Sequence, residues 1–177
     1  ESSHPYQRPP LSKKYLSGEL PAERLSLKPA SFYDTQSVDL RLSVRATSLD
    51  RAARSLTLDS GDTVHYSKLL LATGSTPRRL TVPGHQLAGI HYLRTRSDVE
   101  AIRQELTGAR HVVIIGAGYI GLEVAATCRT LGLSVDVLEM SDRVMNRVVA
   151  PEISAFYTEE HQRMGVRIHT RTLLAGF

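Results

Sequence analysis

The chain has 177 residues, 41% of them hydrophobic and 23% charged, and this balance excludes an intrinsically disordered polypeptide. The longest uncharged apolar stretch, residues 112–122, is far shorter than the roughly 18 residues that a membrane-spanning helix requires, so no membrane segment is predicted. A single cysteine, Cys128, excludes an internal disulfide and a CxxC redox pair, and it is typical of a protein from a reducing cytoplasm.

Positive charge is concentrated in the first part of the chain. Residues 1–110 contain 16 Lys and Arg against 11 Asp and Glu, whereas residues 111–177 contain 6 against 7. Such an asymmetry can steer an acidic partner towards the first part, although an ordinary solvated surface is the simpler interpretation. The basic residues form no dense run and belong to no nucleic-acid-binding motif, so nucleic acid is not a predicted partner.

The first half of the chain predicts a short helix followed by extended segments. Pro10 is placed near a helix start, because proline is favoured in a first helical turn. The alternation over residues 38–44 predicts a strand, and the turn residues at 59–62 predict a hairpin. An apolar run at residues 69–71 predicts a buried strand, and residues 74–93, rich in Gly, Pro and Thr, predict a connection.

The second half predicts a regular alternation of helices and strands. Ser97 and Glu100 fit a capping box at the start of a helix that ends near Gly108. The elements predicted after it are strand 111–115, helix 119–131, strand 134–139, a helix from Pro151 to about Met164, and strand 166–169. Strands that alternate with helices predict a parallel, doubly wound sheet.

A glycine-rich turn lies between the first strand and the first helix of this unit. Gly116, Gly118 and Gly121 fit GxGxxG directly after an apolar strand. In that motif the first glycine makes the tight turn, the second lets a pyrophosphate approach the backbone, and the third lets the helix pack on the strand. The motif predicts a dinucleotide site at the positive end of the helix, and a tight turn without any ligand is the alternative.

The next strand ends in a carboxylate that bears on the choice of dinucleotide. Glu139 lies 18 residues after Gly121, where a carboxylate can accept hydrogen bonds from the adenosine ribose hydroxyls. The same charge repels a 2′-phosphate, and Asp142 adds to that repulsion. The sequence therefore predicts NADH over NADPH, with Arg143 as a residue that can instead hold a 2′-phosphate.

Four stretches together resemble one family. Residues 5–13, 71–78, 92–95 and 116–126 are similar to the FAD-dependent pyridine nucleotide oxidoreductases, in the ferredoxin and rubredoxin reductase branch that serves P450 and dioxygenase systems. The first stretch is the most specific, because the dithiol reductases carry redox cysteines in that region and this chain has none.

The resemblance implies an α/β fold made of parts of two Rossmann-like domains, which bind FAD and NAD(P), with a parallel sheet and a β-meander. Residues 1–110 are expected to be a partial FAD-binding domain that lacks its first strand and its own GxGxxG. Residues 111–177 are expected to be a partial NADH-binding domain that lacks its C-terminal part.

The resemblance also implies site residues. Lys13 corresponds to the lysine beside the flavin ring, and Glu123 to the glutamate that pairs with it, so these two are the candidate catalytic residues. The residues expected to bind FAD are Arg8, Pro9, Lys13, Ala46, Ala72, Thr73, Gly74 and Arg94. Those expected to bind NADH are Gly116, Gly118, Tyr119, Ile120, Gly121, Glu123 and Glu139. Taken alone, Lys13 reads as a solvated lysine and Glu123 as a charge that the helix N-terminus stabilises.

The activity implied by the resemblance is electron transfer from NADH through FAD to an acidic ferredoxin or rubredoxin. No metal site is predicted within the chain, and the piece alone is expected to be inactive. One alternative is a related NADH flavoenzyme with another acceptor, of the monodehydroascorbate or nitrite reductase type. The other is a non-catalytic nucleotide-binding module.

Overall fold

The computed structural model describes residues 1–177, which divide into two compact units. Unit 1 comprises residues 1–6 and 26–76, and unit 2 comprises residues 7–25 and 77–177. The helices are α1 (Lys14–Ser17), α2 (Ala30–Thr35), α3 (Arg96–Leu106), α4 (Tyr119–Thr130) and α5 (Pro151–Arg163), with 3₁₀ turns at Pro9–Ser12 and Ala22–Leu25. The strands are β1 (Ala46–Asp50), β2 (Ser55–Leu58), β3 (Thr63–His65), β4 (His111–Ile115), β5 (Ser134–Leu138) and β6 (Val166–His169). The predicted domain boundary after residue 110 stays a prediction.

Unit 1 contains an antiparallel meander in the order β1-β2-β3. Gly61 lies in the turn between β2 and β3 with a φ of 89°, a left-handed conformation that glycine adopts without strain. The hairpin predicted around residues 59–62 is therefore confirmed. Helix α2 precedes the meander, in a region where the sequence indicated only extended structure.

Two predicted strands in unit 1 are wrong. Residues 38–44 and 69–71 are irregular. Ser37 and Ser43 have φ values of 54° and 55°, which interrupt an extended backbone before and within the first segment. In the second segment Leu70 is 88% exposed. An alternating or apolar run becomes a strand only where a neighbouring strand supplies hydrogen-bond partners, and neither segment has one in the structure.

Unit 2 is built on a parallel sheet in the order β4-β5-β6. Helices α4 and α5 pack on one face of it, and the strands and helices predicted from residue 111 onward are confirmed. The fully buried Val135 and Val137 alternate along β5 with Asp136, which points to the opposite face. The buried core consists of Ala117, Leu122, Ala125, Cys128, Leu133, Val135, Val137, Val144, Met145 and Val166.

The N-cap of helix α3 lies two residues earlier than predicted. The N-cap is Thr95, whose hydroxyl accepts a hydrogen bond from the Asp98 amide at 3.2 Å. The Asp98 carboxylate accepts in return from the Thr95 amide at 2.7 Å. The predicted Ser97–Glu100 box is therefore wrong. The pairs Thr95–Asp98 and Ser97–Glu100 both have the spacing of a capping box. The direction of the chain before the helix determines that Thr95 is the N-cap.

Cys128 is buried on the inner face of α4. Burial raises the pKa of its thiol to about 11, because the apolar core disfavours the thiolate. The side chain thus packs as a small apolar group.

None of the helices has the length and apolar composition needed to cross a bilayer.

A charged cluster occupies the other face of the sheet in unit 2. The Asp136 carboxylate accepts hydrogen bonds from Arg167 Nε at 2.9 Å and lies 2.7 Å from His169 Nε2. His111 Nε2 contacts the same carboxylate from β4. These hydrogen bonds, above all those from Arg167, hold the pKa of Asp136 well below its usual range. The cluster therefore stabilises the folded protein only while Asp136 is ionised.

Asp136→Asn is expected to lower the Tm of the protein at neutral pH by about 3 °C, which corresponds to about 1 kcal/mol. Because the pKa of Asp136 is lower in the folded than in the unfolded state, its contribution is complete above the unfolded value of about 3.9 and is lost as the pH falls further. Thermal melts between about pH 2 and pH 7 should show the two Tm values converging in acid. The exposed Asp142→Asn is the control, and a Tm difference that persists unchanged in acid would contradict the assignment.

Candidate functional site

The glycine turn joins β4 to α4 at the carboxyl end of the parallel sheet. Gly116 has a φ of 100°, and its amide donates a hydrogen bond to the Leu138 carbonyl at 2.7 Å, which holds the turn against the end of β5. Gly118 is the N-cap of α4 in an extended conformation, and no side chain caps this helix. The amides of the first turn of α4 therefore remain available to a ligand, and the helix dipole favours a negatively charged one.

Gly121 and Gly118 are needed for different reasons. A Cβ atom on Gly121 would lie 2.1 Å from the carbonyl oxygen of Gly116, so the close packing of α4 on the turn excludes any side chain there. A Cβ atom on Gly118 would meet no atom within 4 Å. Gly121 thus serves the fold, whereas the open space at Gly118 serves the approach of a ligand.

The two glycines give a matched pair of predictions. Gly121→Ala is expected to lower the Tm in the absence of nucleotide, because the overpacked turn costs about 1–3 kcal/mol. Gly118→Ala is expected to leave that Tm unchanged and to weaken NADH binding at least about 10-fold, because the methyl group fills the space of the pyrophosphate. Thermal melts without nucleotide and NADH titrations check both, and equal Tm losses in the two variants would refute the distinction.

Glu139 directs its carboxylate at the glycine turn. Its Oε2 accepts a hydrogen bond from the Ala117 amide and its Oε1 one from the Ser141 amide, both at 2.8 Å. Partial burial by itself raises the pKa of Glu139, but the bonds from the Ser141 and Ala117 amides outweigh it and the net pKa is lowered. The residue is therefore ionised at neutral pH at the edge of the crevice, as the sequence analysis expects of a ribose-binding carboxylate.

Arg143 has its guanidinium bound within the loop that follows β5. Its Nη1 donates to the Val149 carbonyl at 2.9 Å and to Ser154 Oγ at 2.7 Å, and its Nη2 donates to the Asn146 carbonyl at 2.9 Å. An arginine with these partners holds its own loop together. Its use for a 2′-phosphate, the alternative left open by the sequence, would require these bonds to break.

A pocket of about 240 Å³ lies beside the first turn of α4, within unit 2. Seven predicted site residues line it: Arg8, Pro9, Lys13, Arg94, Tyr119, Ile120 and Glu123. Leu11, Ser12 and Leu93 complete the wall. Arg8 Nη1 donates to the Arg94 carbonyl at 2.7 Å and so fixes one side of the pocket. The volume suits a ring system, since whole drug-sized ligands occupy about 300–1,000 Å³.

Lys13 and Glu123 form an ion pair in this pocket. Lys13 Nζ lies 2.7 Å from Glu123 Oε2 and donates to the Pro9 carbonyl at 3.2 Å. The contact joins residues 110 positions apart, and it is the one that the family resemblance implies. Ser12 donates its hydroxyl proton to the same Glu123 oxygen at 2.5 Å.

Four predicted FAD-binding residues lie in unit 1 and are described there alone. Ala46 begins β1 and is paired with Leu58, next to an irregularity of the ladder. Ala72, Thr73 and Gly74 form an exposed segment outside any helix or strand, in which Gly74 has a left-handed φ of 71°. Their FAD contacts stay a prediction.

Four residues at or beside the pocket were not predicted as site residues from the sequence: Leu11, Ser12, Leu93 and Thr127. Thr127 lies one helical turn after Glu123, and its hydroxyl donates to the Ser12 carbonyl at 2.9 Å. Two signals were present in the sequence. Ser12 directly precedes Lys13 in the most specific stretch, and Thr127 has the i+4 spacing from Glu123 that places both on one helix face.

The chemistry of these groups fits two nucleotide cofactors. An uncapped helix N-terminus with an open glycine and an ionised carboxylate beside it suits the pyrophosphate and ribose of NADH. A pocket with apolar walls and a lysine–glutamate pair suits a planar ring with polar edge atoms, such as a flavin.

Comparison with known proteins gives a consistent result. The family model described as pyridine nucleotide-disulphide oxidoreductase matches residues 1–177. The 5,5'-dehydrodivanillate O-demethylase ferredoxin reductase subunit of Sphingobium sp. is 45% identical over 168 residues, which are 95% of this chain and 41% of the relative. The rubredoxin-NAD(+) reductase of Pseudomonas putida is 42% identical over 151 residues, which are 85% of this chain and 39% of the relative.

A solved structure agrees with these relatives. The ferredoxin reductase for the CYP199A2 system from Rhodopseudomonas palustris superimposes with a TM-score of 0.95 at 45% identity, covering 99% of this chain and 43% of that one. The predicted fold class, an α/β protein with Rossmann-type nucleotide-binding parts, is confirmed. The chain spans about two-fifths of the length of the curated relatives that it matches.

Proposed function

Because the chain belongs to the pyridine nucleotide-disulphide oxidoreductase family, we propose that the protein carrying it is an FAD-dependent reductase that oxidises NADH. Its electron acceptor is a small iron–sulfur protein, a ferredoxin or a rubredoxin, which feeds a P450 or another oxygenase system. Ferredoxin and rubredoxin reductases of this family use FAD and NAD(P)H. The names of the relatives support the choice of acceptor.

One observation carries the proposal: a single helix, α4, borders both the glycine crevice and the pocket that contains the lysine–glutamate pair. The first amides of α4 face the glycine crevice, and Glu123, within the next turn of the same helix, pairs with Lys13 in the pocket. A dinucleotide with its pyrophosphate on the amides would therefore extend towards the lysine–glutamate pair. Such an arrangement brings a donor and an acceptor ring together, which is what hydride transfer requires.

Each residue has a role that follows from its chemistry. Gly118 and the α4 amides bind the pyrophosphate, and Glu139 binds the adenosine ribose. Tyr119, about half exposed at the start of α4, lines the pocket. Lys13 and Glu123 hold a fixed charge pair at the reacting edge. Bound FAD supplies the chemistry that accepts two electrons from NADH and releases them singly.

The choice of NADH over NADPH rests on Glu139 and Arg143. The Glu139 carboxylate faces the crevice in its charged form, where it attracts ribose hydroxyls and repels a 2′-phosphate. The Arg143 guanidinium, the obvious counter-charge for such a phosphate, is bonded to its own loop. Together these two residues favour NADH, the nucleotide without the 2′-phosphate.

The charge distribution and the cysteine content complete the proposal. The excess of basic residues among residues 1–110 suits docking of an acidic electron-transfer protein by charge complementarity. A lone buried Cys128 suits a protein of the reducing cytoplasm, where we place it.

The test is an anaerobic NADH titration of the full-length protein followed by visible absorption. Bleaching of flavin bands supports the proposal, and a flavin spectrum that NADH leaves unchanged overturns it. Cytochrome c reduction through an added ferredoxin then tests the acceptor. The rate should fall as ionic strength rises, because added salt screens the attraction between the two proteins. Bleaching without ferredoxin or rubredoxin reduction would favour a family relative with another acceptor.

A further inference from the structure

Ser12 is a buried hydroxyl beside the lysine–glutamate pair. Its side chain donates to Glu123 Oε2 at 2.5 Å, and the residue is only 4% exposed. Lys13 Nζ contacts the same oxygen at 2.7 Å. Two donors from adjacent residues of one segment therefore converge on a single carboxylate oxygen of α4.

Thr127 ties this segment to the helix. Its single hydroxyl proton is shared between the Ser12 carbonyl at 2.9 Å and the Glu123 carbonyl at 3.0 Å, and the residue is 9% exposed. The second bond is the ordinary i−4 bond of a helical threonine, whereas the first crosses to another part of the chain. Thr127 thus fixes the backbone of Ser12 at the point from which the Ser12 side chain reaches Glu123.

The ion pair has little rigidity of its own. The side chains of Lys13 and Glu123 are 48% and 32% exposed, and a pair as open as this is screened by solvent and contributes little positional constraint. The Ser12 hydroxyl and the Thr127 bond to the Ser12 backbone are both buried and have short distances. The buried hydroxyls therefore supply the positional constraint that the ion pair lacks.

We propose that Ser12 and Thr127 are positioning residues, which hold the Glu123 carboxylate and Lys13 in the geometry that nucleotide oxidation requires. The inference rests on the proposed function, which it deepens by naming what orients the charge pair. Ser12 acts on Glu123 directly, and Thr127 acts through the backbone of Ser12.

The test uses the full-length protein with three variants. Ser12→Ala removes the donor to Glu123. Thr127→Val removes a hydroxyl at constant shape, and Thr127→Ser restores it. The matched control is Thr130→Val on the same helix, because the Thr130 hydroxyl makes only an i−4 bond, to the Ala126 carbonyl at 3.1 Å.

Ser12→Ala is expected to slow the limiting rate of flavin bleaching by NADH about 10-fold, with the Kd for NADH changed less than about twofold. Thr127→Val is expected to slow that rate about threefold, and Thr127→Ser to recover most of the loss. Thr130→Val is expected to match the wild type. If Thr130→Val and Thr127→Val slow the bleaching rate equally, the role of Thr127 is overturned, because the loss then reflects general helix stability.

A second readout does not depend on the flavin. Acetylation of folded protein by acetic anhydride, quantified by mass spectrometry, reports how firmly Lys13 is held, with the exposed neighbour Lys14 as internal reference. The Lys13 to Lys14 labelling ratio is expected to rise about threefold in Ser12→Ala, because a Lys13 side chain released from Glu123 is more accessible to the reagent. An unchanged ratio overturns the positioning role. If the full-length protein contains no flavin, the proposed function is wrong. The labelling ratio still shows in that case whether Ser12 holds Lys13 and Glu123 together.

Discussion

Glu139→Ala is expected to weaken NADH binding about 30-fold, since hydrogen bonds to a charged group contribute about 1.5–3 kcal/mol. The variant loses the acceptor for the ribose hydroxyls, and the Ala117 and Ser141 amides lose the partner that shapes the crevice. Both losses act on the adenosine half of the nucleotide, so Kd should rise much more than the limiting rate falls.

The same substitution is expected to improve NADPH binding. Removal of the carboxylate ends its repulsion of a 2′-phosphate, and Arg147 lies near enough to Glu139 to help lower the pKa of that carboxyl. Arg147 thus becomes a counter-charge for the phosphate in the variant. The preference for NADH over NADPH, measured as the ratio of kcat/KM values, is expected to fall at least about 100-fold.

Two further variants make the result decisive. Asp142→Asn removes an exposed neighbouring carboxylate and is expected to change the ratio less than about threefold. In Glu139→Ala, the additional change Arg147→Ala is expected to abolish the gain in NADPH binding. An unchanged Kd for NADH in Glu139→Ala would show that this carboxylate does not bind the ribose, and the argument for NADH over NADPH would then fail.

Lys13→Met is expected to slow the limiting rate of flavin bleaching by NADH about 100-fold, which lies within the range for a positioned proton-transfer or charged group. Methionine keeps the length of the side chain and removes the ammonium that pairs with Glu123. Glu123→Gln is expected to slow the same rate about 10-fold, because the amide retains the shape and a hydrogen-bond acceptor for Ser12 but not the charge. Neither change touches the glycine crevice, so the Kd for NADH should change little.

The double variant tests whether the two residues act as a pair. If they do, Lys13→Met with Glu123→Gln is expected to be about as slow as Lys13→Met alone, because the second change removes an interaction that is already lost. Lys14→Met is the control, since Lys14 is an exposed neighbour outside the pocket. Rate losses that simply multiply in the double variant would argue for two independent roles.

The parallel unit was predictable from sequence because its signals are local and agree with one another. The apolar strand before Gly116, the helical spacing after it and the carboxylate at Glu139 indicate the same strand–turn–helix–strand unit, which the structure has. Gly132 directly follows the predicted helix 119–131, and its left-handed φ of 84° is typical of a glycine that ends a helix. Each feature depends on residues within a few positions of it.

The failures have a common physical origin in pairing that lies beyond local sequence. Residues 38–44 have the alternation of a strand and Leu70 lies in an apolar run, yet neither segment has a strand beside it. Thr95 and Ser97 are equally good caps by pattern, and the path of the chain before α3 selects Thr95. Local pattern states what a segment can form, and its neighbours determine whether it does.

The glycine turn could be predicted from residue types at fixed short spacings, and the resemblance of four stretches indicated the family and the candidate site residues. The tertiary structure was needed to show that the Ser12 and Thr127 hydroxyls join the Lys13–Glu123 pair, and that the Arg143 guanidinium bonds to its own loop and to α5. The residues around Glu123 come from segments more than 100 positions apart. No periodicity encodes a contact across that distance, and only the packing of α4 against the segment before α1 creates it.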